Sequence, residues 1–156
     1  MSDKVYLTAE GAEELQRELD MLITVRRPEL AHKLTEAVAQ GDLKENADYH
    51  DAKEQLAFVE GRIKYLENVL HTAEIISAAD SSKDVVSVGS KVTIVEDGTS
   101  DEETYSIVGA AEANPAEGKI SNLSPIGSAL LGAKKGEKVR VTTPGGQIVF
   151  KIKSIK

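Results

Sequence analysis

Seven apolar residues constrain the first half of the chain more than anything else in it. Ala52, Leu56, Val59, Ile63, Leu66, Leu70 and Ala73 are spaced 4, 3, 4, 3, 4, 3, with charged residues between them. A seam of that length suits an α-helix that buries one narrow stripe against another helix. Asn46 is placed to cap its start, and Asp48 falls in the first turn, where the helix dipole favours an anion. A partner helix is available upstream. Thr8 is a candidate N-cap followed by Glu10, Glu13 and Glu14, and Leu15, Leu19 and Leu22 begin a second stripe. Leu30, Leu34 and Ala37 resume that stripe after a slip at Pro28. Proline has no N–H and crowds the carbonyl four residues back, so a helix over about residues 9–40 should bend or weaken there. Gly41 can end it. Only residues 41–45 join the two stripes, so the arms must fold back antiparallel. The expected element is a coiled-coil hairpin over residues 1–76, with arms of about 30 residues and about 45 Å.

After residue 76 the pattern changes. Residues 77–84 read as a linker from their Ser, Ala and Asp content. Beyond it the hydrophobic period is two: Val92 and Ile94, Tyr105 and Ile107, Val139 and Val141, then Ile148, Phe150 and Ile152. Turn signals at Asp97-Gly98, Asn114-Pro115 and Pro144-Gly145-Gly146 separate these runs, and residues 128–131 suit one short helix. The predicted fold is therefore α+β: an antiparallel α-helical hairpin, a linker at 77–84, and a small, mostly antiparallel β-sheet domain over 85–156. Charge divides at the same place. Residues 1–76 hold 16 acidic and 9 basic side chains, whereas residues 77–156 hold 10 of each, so the whole net charge of −7 belongs to the hairpin.

Composition removes several function classes. With no cysteine there is no disulfide framework, Cys-zinc site or thiol nucleophile. The acidic balance argues against a simple duplex-DNA binder, which carries a basic footprint. The stretch 120–133 has no charge but is too short to span a bilayer and contains Pro125, Gly127 and Gly132. Residues 1–8 show no basic stretch leading into an apolar run, so a cytoplasmic protein without membrane attachment is expected. His32, His50 and His71 lie too far apart along the two arms to suggest a ligand set, and no phosphate-binding glycine loop or Ser/His/Asp set stands out.

The hairpin tip, Gly41-Asp42-Leu43-Lys44-Glu45-Asn46, is the most informative place for chemistry. Asp42 and Glu45 are three residues apart, so both carboxylates can project from one side of a turn. Exposed charges at a loop tip often do no more than solvate it. Two carboxylates alone hold Mg²⁺ weakly, since that ion takes six oxygens. The residues by themselves leave both readings open.

The segment Gly41-Asp42-Leu43-Lys44-Glu45-Asn46-Ala47-Asp48-Tyr49-His50 closely resembles the tip signature of the bacterial Gre transcript cleavage factors. Val25-Arg26-Arg27-Pro28-Glu29 and Glu60-Gly61-Arg62-Ile63-Lys64 resemble flanking parts of that family's hairpin. Ser124-Pro125-Ile126, Leu130-Leu131-Gly132 and Thr143-Pro144-Gly145-Gly146 resemble its C-terminal domain. The likeness runs in order over nearly the whole chain.

The resemblance implies an FKBP-like second domain and a monomeric accessory factor of bacterial RNA polymerase rather than an enzyme in its own right. It implies that the hairpin enters the secondary channel of a polymerase whose RNA 3′ end has backtracked. There Asp42 and Glu45 would share a Mg²⁺ ion with the polymerase active site, with no cofactor held stably alone. Lys44 and Lys53 are implied as contacts to the RNA 3′ segment, against the plainer reading of a solvated helix face with pairs such as Glu60–Lys64. Arg26 and Arg27 read as structural residues near the bend. Ser124, Pro125 and Ile126 are implied to dock on the polymerase rim, and Leu123 departs from the Asp or Asn common in the family. Two other classes stay in view. A prolyl isomerase would need an aromatic-lined pocket, and this half offers Tyr105 and Phe150. A pure interaction module would occupy the channel without promoting cleavage.

Overall fold

A computed structural model describes residues 4–77 and 83–156. Most of the expected linker, residues 78–82, lies outside the described residues. The chain divides into two compact units. One is the hairpin body Glu13–Thr72, and the other joins the N-terminal residues through Ala12 to Ala73–Lys156.

In the hairpin, α1 (Ala9–Met21) and α2 (Arg27–Ala39) run outward and α3 (Ala47–Thr72) returns. The start of α1 is capped as its sequence suggests, with the Gly11 N–H donating to Thr8 Oγ1 at 3.0 Å. The slip at Pro28 takes a definite form. Leu22–Arg26 is a π-helical turn, and α2 begins behind it with Pro28 in its first turn. One wide turn absorbs the extra residue directly before the proline, where an uninterrupted α-helical ladder would meet the missing N–H and the crowding ring.

α2 packs along α3. Leu30 and Ala37 are buried on one side, and Ala52, Val59, Ile63 and Leu66 on the other. Leu56 and Leu70 are half-buried, while Val69, outside the seven-residue pattern, is buried. The strict 4–3 spacing thus holds through the middle of α3 and loosens at its base, beyond the π turn, where the opposite arm has changed register. Polar ties between the arms mark that register. Arg62 donates to both carboxylate oxygens of Glu18 at 2.7 and 3.0 Å. Those bonds hold its guanidinium above its ordinary pKa, with burial opposing them. Arg27 pairs with Glu60 at 2.7 Å, and Arg26 donates to Gln55 at 2.6 Å. Arg26 and Arg27 are therefore engaged in bridging the two arms.

In the other unit, β1 (Tyr6–Thr8) and β2 (Glu74–Ile76) form a short parallel pair. Neither is signalled by the sequence, because three residues are too few to display a period. The Glu112 carboxylate fixes β1 by accepting the Thr8 N–H at 2.7 Å and the Thr8 hydroxyl at 2.6 Å. Gly109 lets the same segment approach, since a Cβ there would overlap the Tyr6 carbonyl.

The main sheet has the order β5-β4-β3-β7-β6, formed by β3 (Lys91–Glu96), β4 (Glu102–Val108), β5 (Lys119–Ser121), β6 (Lys138–Thr143) and β7 (Gly146–Ile155). Its pairs are antiparallel except β4–β5, so the sheet is mixed. One face buries Val92, Ile94, Ile107, Val141 and Ile152 under Leu130 of α4 (Pro125–Leu130). This helix starts three residues before the span 128–131 expected for it. The reason is local: Ser124 caps it through the Gly127 N–H at 3.0 Å, and Pro125 takes the first helical position.

Burial of the seam predicts a clear contrast in stability. Leu66 has no exposed surface, so Leu66→Ala should cost about 2–5 kcal/mol in urea unfolding followed by helical circular dichroism. Replacing the solvent-screened Arg62–Glu18 pair by Arg62→Met should cost no more than about 1 kcal/mol in the same assay.

Candidate functional site

The helices of the hairpin end at the turn carrying Asp42, Lys44 and Glu45, all exposed. The turn is built by the residues around them. Gly41 adopts a φ of +104°, which an L side chain resists, and its N–H reaches the Val38 carbonyl at 3.3 Å. Asn46 then works in two directions. Its Oδ1 accepts the Tyr49 N–H at 3.0 Å, capping α3, and its Nδ2 donates to the Ala37 carbonyl at 2.8 Å, satisfying the end of α2. One amide side chain thus caps the start of α3 and adds a second bond to the Ala37 carbonyl, which also accepts the Gln40 N–H at 3.2 Å, so it ties the two helix ends together.

The turn is fixed from inside as well. The Lys44 N–H donates to Asp42 Oδ1 at 3.3 Å, and the His50 Nε2 lies 3.3 Å from the Lys44 carbonyl. Asp42 and Glu45 share a shallow, open concavity of about 340 Å³ with Asp48, Gln40 and Asn46. Neither Asp42 nor Glu45 forms an ion pair among the described residues. Among the described residues no group of three or more acidic or histidine side chains is gathered tightly enough to hold a metal ion. The chemistry of the donor set fits Mg²⁺ in a limited way. Two unpaired carboxylates are hard, anionic oxygen ligands, and an octahedral ion would need the rest from elsewhere.

The structure brings Asp42, Lys44 and Glu45 into one turn. Lys53 stands on α3 nearby, its Nζ 5.7 Å from the centre of the Tyr49 ring, which meets the His50 ring edge-on at 5.4 Å. Two residues at the tip carry more than their spacing shows. Asp48 lines the concavity, and His50 touches the loop backbone. Asp48 reads from sequence as a first-turn helix acid, and a hydrogen bond to a carbonyl six residues back leaves no periodic trace.

In the other unit, Ser124 is held at the start of α4. Its hydroxyl donates to the Ser121 carbonyl at 2.7 Å, and Ser121 Oγ accepts the Leu123 N–H at 3.0 Å. Pro125 and Leu123 are exposed, Leu123 at 71%. Ile126 is half-buried against the sheet core, so much of its surface is already in use. Phe150 lies in that core with Tyr105 packed against it. The Tyr105 hydroxyl donates to Glu103, whose carboxylate raises the phenol pKa. No helix among the described residues is long and apolar enough to cross a membrane.

Comparison with known proteins places these features in a family. Residues 5–75 match the model "Transcription elongation factor, N-terminal", and residues 81–156 match "Transcription elongation factor, GreA/GreB, C-term". The chain is 51% identical over 154 residues to the transcription elongation factor GreA of Bacillus subtilis, covering 98% of each protein. It is 49% identical over 156 residues to GreA of Geobacillus kaustophilus, covering 99% of each. The crystal structure of GreA factor homolog 1 of Thermus thermophilus aligns over 99% of both chains at 31% identity with a TM-score of 0.46.

The double role of Asn46 gives a direct test of how the tip is built. Asn46→Ala should lower hairpin stability by about 1–2 kcal/mol. It should also speed amide exchange at Tyr49 and His50, read by hydrogen–deuterium exchange. Asn46→Asp should recover the capping part alone.

Proposed function

Because the chain belongs to the GreA/GreB family of transcription elongation factors, we propose that it binds bacterial RNA polymerase and stimulates cleavage of backtracked RNA by the polymerase's own active site. The hairpin enters the secondary channel and delivers its tip to the blocked catalytic centre. The observation that carries this reading is the Asp42/Glu45 pair: two exposed carboxylates, in no ion pair among the described residues, on a turn braced by Asn46 at the far end of two helices.

Each residue then has a physical task. Asp42 and Glu45 offer two oxygen ligands where phosphodiester cleavage needs a second cation, and the polymerase and RNA complete the set. A Mg²⁺ bound there supplies charge neutralisation at the scissile phosphate and acidifies water. Lys44 and Lys53 present ammonium groups to the phosphates of the extruded RNA 3′ segment. His50 and Asn46 keep the turn from relaxing, so the carboxylates arrive already oriented. Ser124, Pro125 and Ile126 form the docking segment for the polymerase rim, with Ser124 and Pro125 setting the start of α4 and Leu123 standing clear of the fold. The chain acts as an accessory: it brings ligands to a nuclease centre that the polymerase supplies.

The test uses polymerase complexes assembled on a scaffold that forces backtracking. Added protein should shorten the RNA from its 3′ end. Asp42→Asn and Glu45→Gln should each slow that cleavage by at least roughly tenfold, the scale on which even outer-shell partners of a metal act, with polymerase binding retained. Full cleavage by the double variant would refute the assignment. Tight binding by the wild-type chain with no RNA shortening would instead favour a factor that merely occupies the channel.

A further inference from the structure

The hairpin carries an apolar feature that neither its seam nor its tip explains. Phe58 is 78% exposed and Met21 is 56% exposed. Both line a groove of about 550 Å³ beside the π turn, together with Leu22, Val59 and the polar residues Arg26, Asp51, Glu54 and Gln55. Phe58 neighbours Val59 of the buried seam, and the rotation of about 100° between them turns its ring onto the exposed side of α3. Three of the polar residues are tied to one another: Arg26 donates to Gln55 at 2.6 Å, and Gln55 donates to Asp51 at 2.7 Å. Those bonds tie the long side chains to one another instead of laying them over the ring. Exposed apolar side chains beside such polar ones suit a contact surface.

We propose that this groove seats an apolar side chain of the polymerase channel wall, with Phe58 as the anchor. The inference rests on the proposed function and adds a contact behind the tip. Two observations select this occupant. The first is size. Phe58 and Met21 expose roughly 300 Å² of apolar surface at most, whereas the face of about 800 Å² that each partner of a stable homodimer buries is about 65% apolar, or about 500 Å². The patch is too small to hold two copies together but suits a partner already held by other contacts. The second is position. Phe58 lies 11 residues beyond Ala47, the start of α3, or about 16 Å behind the tip at 1.5 Å per residue. A hairpin whose tip reaches a catalytic centre must have this part of its length inside the approach to that centre. Burying an aromatic ring there would strengthen docking without touching the reaction.

The test separates binding from chemistry. Cleavage in backtracked complexes is measured against factor concentration for the wild-type chain and for Phe58→Ala, Phe58→Leu and Met21→Gln. Phe58→Ala should raise the half-saturating concentration by about tenfold, the scale of an interface anchor. The saturating rate should be unchanged. Phe58→Leu should stay within about threefold of wild type, and Met21→Gln should shift in the same direction as the alanine variant. Unfolding midpoints should match wild type, because an exposed ring contributes little to the fold. An unchanged half-saturating concentration for Phe58→Ala, or a loss confined to the saturating rate, would overturn the inference. So would a wild-type dimer in sedimentation without polymerase that Phe58→Ala abolishes, since a second copy would then be the occupant. If the wild-type chain neither binds nor stimulates polymerase, the proposed function fails first and this contact with it.

Discussion

The Asn46 side chain is the interaction on which the working end of the hairpin depends. A helical turnaround leaves unpaired carbonyls at the end of one helix and unpaired N–H groups at the start of the next. Asn46 bonds to both ends, accepting the Tyr49 N–H and donating to the Ala37 carbonyl beside the bond that carbonyl takes from the Gln40 N–H. An amide carries a donor and an acceptor on two separate atoms of one planar group, whereas an ionised aspartate can only accept. With both helix ends tied to a single residue, the intervening loop is short and braced, and its side chains are left to face solvent. The acidic pair stays largely available because the turn draws little on it: among the described residues Asp42 gives one oxygen to the Lys44 N–H at 3.3 Å, and both carboxylates remain exposed.

The same economy appears along the arms. The apolar seam is thin, and alanines at positions 37 and 52 keep it so near the tip. Thin seams give limited burial, and the long polar side chains that flank this one help to set register. Arg62 with Glu18, Arg27 with Glu60 and Arg26 with Gln55 cross from arm to arm at separate levels. Each contributes modestly in water, since all are partly solvated. Together they favour one register over its slips. The π turn at Leu22–Arg26 is the complementary device, because it takes up a residue that would otherwise turn the outer half of the first arm away from its partner.

Much of the site could be read before any coordinates. The 4–3 spacing names the buried face of α3 through Leu66, and the positions of Thr8 and Asn46 name two helix starts, because caps and seams are local and leave periodic or positional marks. Features built from single contacts between distant residues left no such mark. Glu112 binding Thr8 across 104 residues is one example, and the parallel β1–β2 pair is another. The mixed character of the sheet leaves no mark either. The parallel partner β5 is three residues long, and period-two patterning says nothing about strand direction. The short helix shifted by three residues for a different reason: Ser124 and Pro125 form a strong start signal that apolar spacing alone does not weigh.

The sequence by itself determined that this chain has a helical hairpin with an acidic tip and a separate sheet-bearing half, because hydrophobic period, caps and charge placement are properties of neighbours along the chain. Only the tertiary structure decided which carboxylates stand free, which arginines bridge the arms, and which apolar residues are left outside the core. Phe58 and Val59 are adjacent in sequence and similar in hydrophobicity, yet one is 78% exposed and the other 6%. Exposure depends on where the second helix lies, and that is fixed by packing between residues far apart in the chain.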